Sequence, residues 1–222
     1  MSEETSLLSE VEIRVLGCLM EKAVTTPEYY PLTLNALVNA CNQKSNRDPV
    51  MYLTEHDVEN ALESLRFSHR LVTLVHTSGS RVHKFKHTIT DRYAISEDQQ
   101  AVLCELFLRG PQTVGELRGR AARLFAFDSL EAVEKALDEL MAYAGGPLVA
   151  KLPREPGRRE SRYQHVLGDP PDLTAQADDA AERMQSSPTP SRYDVMQAEV
   201  KTLREEMDRL KTEWAEFKRQ FE

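Results

Sequence analysis

Long apolar runs are missing from this 222-residue chain, and none approaches the ~20 residues needed to cross a bilayer. No membrane partner is therefore expected. The opening stretch, MSEETSLLSE, is acidic and lacks the basic and apolar regions of a secretory signal, so the chain is expected in the cytoplasm. Cysteine is scarce. Cys18, Cys41 and Cys104 are far apart, with no CxxC pair. That excludes a disulfide framework or a cysteine zinc site and fits reduced, buried thiols. Basic charge is also short. The formal net charge of −8 argues against a strongly basic nucleic-acid binder, while leaving room for a local basic patch.

The residues of catalysis are equally thin. The histidines are His56, His69, His76, His83, His87 and His165, and only His83 and His87 are close in sequence. On one strand they would share a face without being adjacent. No acidic partner stands out, and neither a glycine-rich phosphate loop nor a GxSxG motif is present. The expectation is a non-catalytic protein with no metal and no cofactor.

What is present is a repeat. Val58-Glu59-Asn60-Ala61-Leu62-Glu63-Ser64-Leu65 and Val133-Glu134-Lys135-Ala136-Leu137-Asp138-Glu139-Leu140 both read V-E-x-A-L-[ED]-x-L. Upstream, Pro31 to Leu34 with Leu37 matches Pro111 to Val114 with Leu117, and Val15-Leu16 with Leu19 matches Val102-Leu103 with Leu106. Downstream, Leu71-Val72 matches Leu148-Val149, and Ser80-Arg81 matches Ser161-Arg162. The shared order predicts two copies of one small fold.

Each copy reads as three helices and a strand pair. Ser9 with Glu12, Thr33, and Thr54 with Asp57 are helix starts in the first copy. Strands are expected over residues 71–76 and 81–87, joined by a turn at 77–80. In the second copy, Ser96 with Gln99, Thr113 with Glu116, and Asp128 with Glu131 start helices, and Gly110-Pro111 stops the first. Strands follow over 148–152 and 162–167, with a long basic connection. Helices followed by a hairpin is the winged-helix order. The fold class is mainly α with small β hairpins (α+β): a first winged-helix domain over residues 1–95, a second over 96–168, a proline- and acid-rich linker over 169–190, and a coiled-coil helix over 191–222.

The heptad pattern of that last segment has a positions Tyr193, Val200, Met207, Trp214 and Phe221, and d positions Met196, Leu203, Leu210 and Phe217. Glu199, Glu206 and Glu213 at g face Arg204, Lys211 and Lys218 at e in a parallel pair. A homodimer through residues 193–221 is expected, with Val200, Leu203, Met207, Leu210, Trp214 and Phe217 as its seam. The alternative is an amphipathic helix packed on its own domains or on another protein.

Several stretches carry a resemblance. They are Thr25-Thr26-Pro27, Tyr30 to Leu37 and Ala40 to Val50 in the first copy. In the second they are Leu108 to Thr113, Gly115 to Arg118, Leu152-Pro153-Arg154, Pro156 to Glu160 and Arg162-Tyr163. Together these resemble the YceH family of bacterial proteins, over roughly residues 7–168. The resemblance implies a tandem winged-helix fold. It implies no catalytic residue and no ligand.

A winged helix usually reads DNA with its third helix. Here the third helices carry Glu55, Asp57, Glu59 and Glu63, then Glu131, Glu134, Asp138 and Glu139, and carboxylates repel phosphates. Basic residues lie elsewhere. Candidate contacts are the loop Asn42, Gln43, Lys44, Ser45, Asn46 and Arg47, the first wing's Arg81 and Lys84, Arg118 of the second helix, and Arg154, Arg158, Arg159 and Arg162 of the second wing. Two readings stay open. One is double-stranded DNA contacted through the basic wings, in transcriptional regulation. The other is a protein partner docked on the acidic third helices. The loop has a third use, bracing the connection between second and third helices, and the wing arginines can equally pair with nearby carboxylates.

Overall fold

The computed structural model describes residues 7–75, 82–154, 157, 158 and 160–168. The expected turn at 77–80, Arg81, Arg159, the linker and the heptad segment with its seam from Val200 to Phe217 lie outside the described residues. Within them the protein is α+β, with seven α-helices and two small antiparallel sheets.

Helix α1 (Glu10–Thr25) starts at a reciprocal cap, in which Ser9 and Glu12 each accept the other's backbone N–H. A surface helix keeps a polar face; α1 does not, and is buried at every position from Glu12 to Glu21. Helix α2 (Leu34–Cys41) is capped by Thr33, and α3 (Glu55–Phe67) by the Thr54/Asp57 box. Strands β1 (Leu32–Thr33), β2 (Val72–Val75) and β3 (Lys84–His87) form a sheet in the order β1-β3-β2, with Phe85 opposite both Leu32 and Leu74. The short α4 (Ile89–Arg92) leads to the second half.

That half repeats the order. Helix α5 (Glu97–Arg109) has the Ser96/Gln99 box and ends at Gly110, whose φ of 65° suits glycine. It is buried from Ala101 through Leu108. Helix α6 (Val114–Ala121) follows the Thr113/Glu116 box. Helix α7 (Leu130–Met141) is capped by Ser129, one residue beyond the Asp128 start expected, because the Ser129 hydroxyl is the group that accepts the Ala132 N–H. Strands β4 (Val149–Lys151) and β5 (Tyr163–His165) pair antiparallel, and Gln112 bridges to Tyr163 as Leu32 does to Phe85.

The reason α1 and α5 have no polar face is that they pack on each other as well as on their own halves. Gly17 is the notch that admits this: a Cβ there would lie 2.9 Å from Leu108 Cδ2 and 3.0 Å from Phe107 Cβ. Cys104 Sγ–H donates to the Gly17 carbonyl at 3.5 Å. The V-E-x-A-L-[ED]-x-L motifs now have a packing explanation. Val58, Ala61, Leu62 and Leu65 of α3 are buried, as are Val133, Ala136, Leu137 and Leu140 of α7, while the acids between them face solvent. The beginning and end of the described chain also meet, with Leu8 N–H donating to Leu167 O at 2.8 Å.

Candidate functional site

The loop between α2 and α3 is built as a brace. Asn42 donates to Leu53 O at 2.8 Å and accepts from Leu53 N–H at 2.7 Å, tying the loop's two ends together. Asn46 takes a left-handed φ of 58°. Arg47 turns inward and is only 5% exposed. Its guanidinium donates to Ala40 O at 3.0 Å, to Gln43 Oε1 at 3.1 Å, and to both carboxylate oxygens of Glu21 at 3.2 and 2.6 Å. Arg47 is thus corrected from candidate surface contact to interior residue: a bidentate ion pair uses the donor fork that a phosphate would need. Beneath it, buried Arg14 donates to Cys41 O at 3.4 Å and Pro49 O at 2.7 Å.

From Glu21 the network crosses between the halves. Arg123, just after α6, hydrogen-bonds Glu21 through one arm and Glu105 of α5 through the other, the latter at 2.8 Å. Glu105 also faces Arg109, whose Nε lies 3.3 Å from Oε2. Arg109 in turn hydrogen-bonds the Asn46 side chain, and Asp48 N–H donates to Leu108 O at 2.9 Å. A closed ring results: Arg47, Glu21, Arg123, Glu105, Arg109 and back to the loop. Burial alone raises the Glu21 pKa, but the hydrogen bonds and charge of Arg47, then the charges of Arg123 and Lys22, outweigh it and hold the carboxyl at about 2. Burial pulls Arg123 down, but Glu105 and Glu21 raise it above its ordinary value.

The remaining candidates separate into three groups. Arg118 is spent on the start of α7, donating to Phe127 O at 3.4 Å and Asp128 O at 2.8 Å. Arg162 donates to Pro111 O at 2.7 Å and pairs with Glu116 at 3.3 Å. Lys84 and Gln43 are half-buried, and Gln43 Oε1 also accepts from Lys22. Lys44, Ser45, Arg154 and Arg158 are exposed. On the third helices, Glu55, Glu59 and Glu63 of α3 and Glu131, Glu134, Asp138 and Glu139 of α7 are all exposed, with Lys135 the basic residue among the latter. Among the described residues no group of three or more His, Cys, Asp or Glu is placed to hold a metal, and no helix is long and apolar enough to cross a membrane.

Glu21, Glu105 and Arg109 of the ring, and Arg14 beside it, went unselected in the sequence. A signal was available for two of them: Arg14 and Glu105 sit inside apolar helical runs, Ile13-Arg14-Val15-Leu16 and Val102-Leu103-Cys104-Glu105-Leu106-Phe107, whereas Glu21 is followed by Lys22 and Arg109 by Gly110-Pro111. A charge inside such a run requires a buried partner.

Fold and site define an α+β protein of two like-ordered halves knit by buried guanidinium–carboxylate contacts. The family described as "Protein of unknown function, DUF480" matches residues 8–158, and the chain belongs to that family. It is 49% identical to a UPF0502 protein of Geobacter sulfurreducens over 219 residues, covering 97% of this chain and 99% of the relative. A UPF0502 protein of Vibrio atlanticus is 45% identical over 210 residues, covering 93% of this chain and 96% of its own length. One from Citrifermentans bemidjiense is 55% identical over 167 residues, covering 75% and 76%. The YceH-like reading is consistent with this family.

Proposed function

We propose that this is a cytoplasmic, non-catalytic tandem winged-helix protein whose third helices dock a basic protein partner. The observation that carries the reading is the outward face of α3. Glu55, Glu59 and Glu63 recur every fourth residue, which places them in one solvent-facing line along the helix. Helix α7 presents Glu131, Glu134 and Asp138 in the equivalent element. In a winged helix this face enters the DNA groove, where such carboxylates oppose binding. They favour a partner rich in lysine and arginine, speeding its encounter and fixing its register. Arg47 is buried against Glu21, and Arg118 and Arg162 hydrogen-bond backbone carbonyls of their own half, which supports the same choice.

The test is capture from cell lysate by the wild type and by the double variant Glu59→Lys with Glu134→Lys. Partners retained by the wild type and lost by the charge-reversed protein support docking on these faces; equal capture counts against it. The DNA reading keeps one specific support, the exposed Arg154 and Arg158 between β4 and β5. Fluorescence anisotropy with mixed genomic duplex fragments tests it. Salt-sensitive binding at micromolar protein, lost in Arg154→Ala with Arg158→Ala, would favour DNA over the docking reading.

Self-association through residues 193–221 belongs to the same proposal, resting on the heptad pattern alone. Sedimentation equilibrium checks it. A dimer that becomes a monomer in Leu203→Glu with Leu210→Glu supports the seam from Val200 to Phe217, and a monomeric wild type removes it.

A further inference from the structure

Arg14, Cys18 and Glu21 are spaced four and then three residues apart on α1, so they share one face of that helix. The end of α2 lies over this face. Arg14 donates to Cys41 O at 3.4 Å, and Arg47 donates to Ala40 O at 3.0 Å while holding Glu21. The two guanidiniums thus bracket Ala40-Cys41 above Cys18. The Cys41 thiol hydrogen-bonds Cys18, and Cys18 also takes a hydrogen bond from Arg47.

The third cysteine supplies the contrast. Cys18 and Cys41 are 0% exposed and Cys104 is 2% exposed, so burial does not tell the three apart. Their neighbours do. Burial alone pushes the Cys18 thiol up, but the hydrogen bond from Cys41 and the charges of Arg47 and Arg14 outweigh it, against Glu21, and hold it below its ordinary value. The same hydrogen bond, and then burial, push Cys41 up. Burial, and then the charges of Glu105 and Glu21, push Cys104 well up, and its Sγ–H donates to the Gly17 carbonyl. A thiolate beside fixed positive charge is the form of cysteine that attacks peroxides. The site is also close to the surface: Arg47 donates to Gln43 Oε1 at 3.1 Å, and Gln43 is only half-buried. One guanidinium therefore separates Cys18 from a residue that meets solvent.

We propose that Cys18 and Cys41 are a peroxide-sensitive dithiol, with Cys18 the attacking sulfur and Cys41 the resolving one. The Cys18 thiolate attacks one oxygen of a hydroperoxide; an S–O bond forms, the O–O bond breaks, and the departing oxygen leaves as water after taking up protons. Cys18 is then a sulfenic acid. Cys41 sulfur attacks Cys18 sulfur, the S–O bond breaks, and hydroxide leaves with the Cys41 proton as a second water. Two thiols lose two electrons and the peroxide gains them. The disulfide ties the end of α2 to α1 directly under the loop whose Asp48 N–H donates to Leu108 O of the second half. In a reducing compartment such a bond is transient, a switch and not a permanent staple.

The test is treatment of the folded full-length protein with hydrogen peroxide, followed by alkylation in denaturant and peptide mapping. Free thiols are expected to fall from three to one, with Cys18 joined to Cys41 and Cys104 still alkylated. Dithiothreitol should restore all three, which over-oxidised sulfur would not allow. In Cys41→Ser, Cys18 should stop at the sulfenic acid and form a dimedone adduct. In Cys18→Ser, Cys41 should form none. The wild-type mapping needs no variant to fold. Loss of the Cys104 thiol as fast as the other two, no Cys18–Cys41 bond in the wild type, or a dimedone adduct on Cys41 in Cys18→Ser would each overturn the proposal.

Discussion

Arg47 Nη2 lies 2.6 Å from Glu21 Oε2, with the two side chains 0% and 1% exposed. One comes from the loop after α2 and the other from the penultimate turn of α1, so the pair fixes where the loop sits on the central helix. Because Glu21 also takes Arg123 of the second half, the same carboxylate sets the loop and the junction of the halves.

Arg47→Ala should therefore destabilise strongly. It leaves Glu21 with less compensation in the interior, and breaking one side of a buried pair costs about 3–5 kcal/mol. Urea unfolding of wild type and variant at neutral pH measures it. A loss below about 1 kcal/mol would mean that Arg123 and Lys22 suffice to hold the carboxylate.

Acid should undo the same contact in a defined window. The Glu21 pKa is about 2 in the fold against an ordinary value of 4.5. A depressed carboxyl stabilises fully above its unfolded pKa and loses that contribution as pH falls through the folded one. The window therefore runs from about 4.5 down to about 2, with on the order of 3 kcal/mol at stake. Glu21→Gln should flatten the stability–pH curve across that interval; a slope identical to wild type would assign the acid sensitivity to other carboxyls.

Two glycine substitutions should move stability in opposite directions. At Gly17 an added side chain meets Leu108 and Phe107 within 3.0 Å, so Gly17→Val is overpacked and should cost about 1–3 kcal/mol or more. At Gly115, in the first turn of α6, nothing lies within 4 Å, and Gly115→Ala should gain up to about 1 kcal/mol from helix propensity. Thermal unfolding of both variants decides. A neutral Gly17→Val would mean that α1 and α5 do not approach as closely as described.

Caps and motif faces were legible in the sequence because they depend on neighbours three and four residues away. The Ser9/Glu12, Thr54/Asp57, Ser96/Gln99 and Thr113/Glu116 boxes all stand where the spacing placed them. What was not legible depends on the contact between the halves. Leu16, Leu19, Met20 and Ala23 make one apolar stripe at helical spacing, and that spacing cannot show that α5 covers another side of α1. For the same reason the polar loop residues Asn42, Asn46 and Arg47 read equally well as surface contacts or as a brace. The strand alignment also slipped: the Ser80-Arg81 and Ser161-Arg162 match would set Val82 against Tyr163, whereas sheet pairing makes Phe85 the equivalent of Tyr163.

That corrected alignment exposes a matched pair, His87 and His165, each two residues beyond the aromatic in its strand. Each has a buried Nδ1 with no hydrogen-bond partner among the described residues, and burial depresses each pKa to about 4. His87 lies against Tyr30 and His165 against Phe107, with ring centroids 6.1 and 5.1 Å apart, so protonation would put charge beside aromatic packing in both halves. A histidine held neutral by the fold stabilises fully above its unfolded pKa of 6.5 and loses that contribution as pH falls towards about 4. The two together should remove on the order of 1–3 kcal/mol over that interval, after allowance for their partial exposure. Urea unfolding at pH 7, 6 and 5 should show the decline before Glu21 begins to titrate. In His87→Gln with His165→Gln the slope between pH 7 and 5 should shrink. If it does not, the sensitivity in that range comes from groups other than this pair, and the structural equivalence of the two histidines has no energetic counterpart.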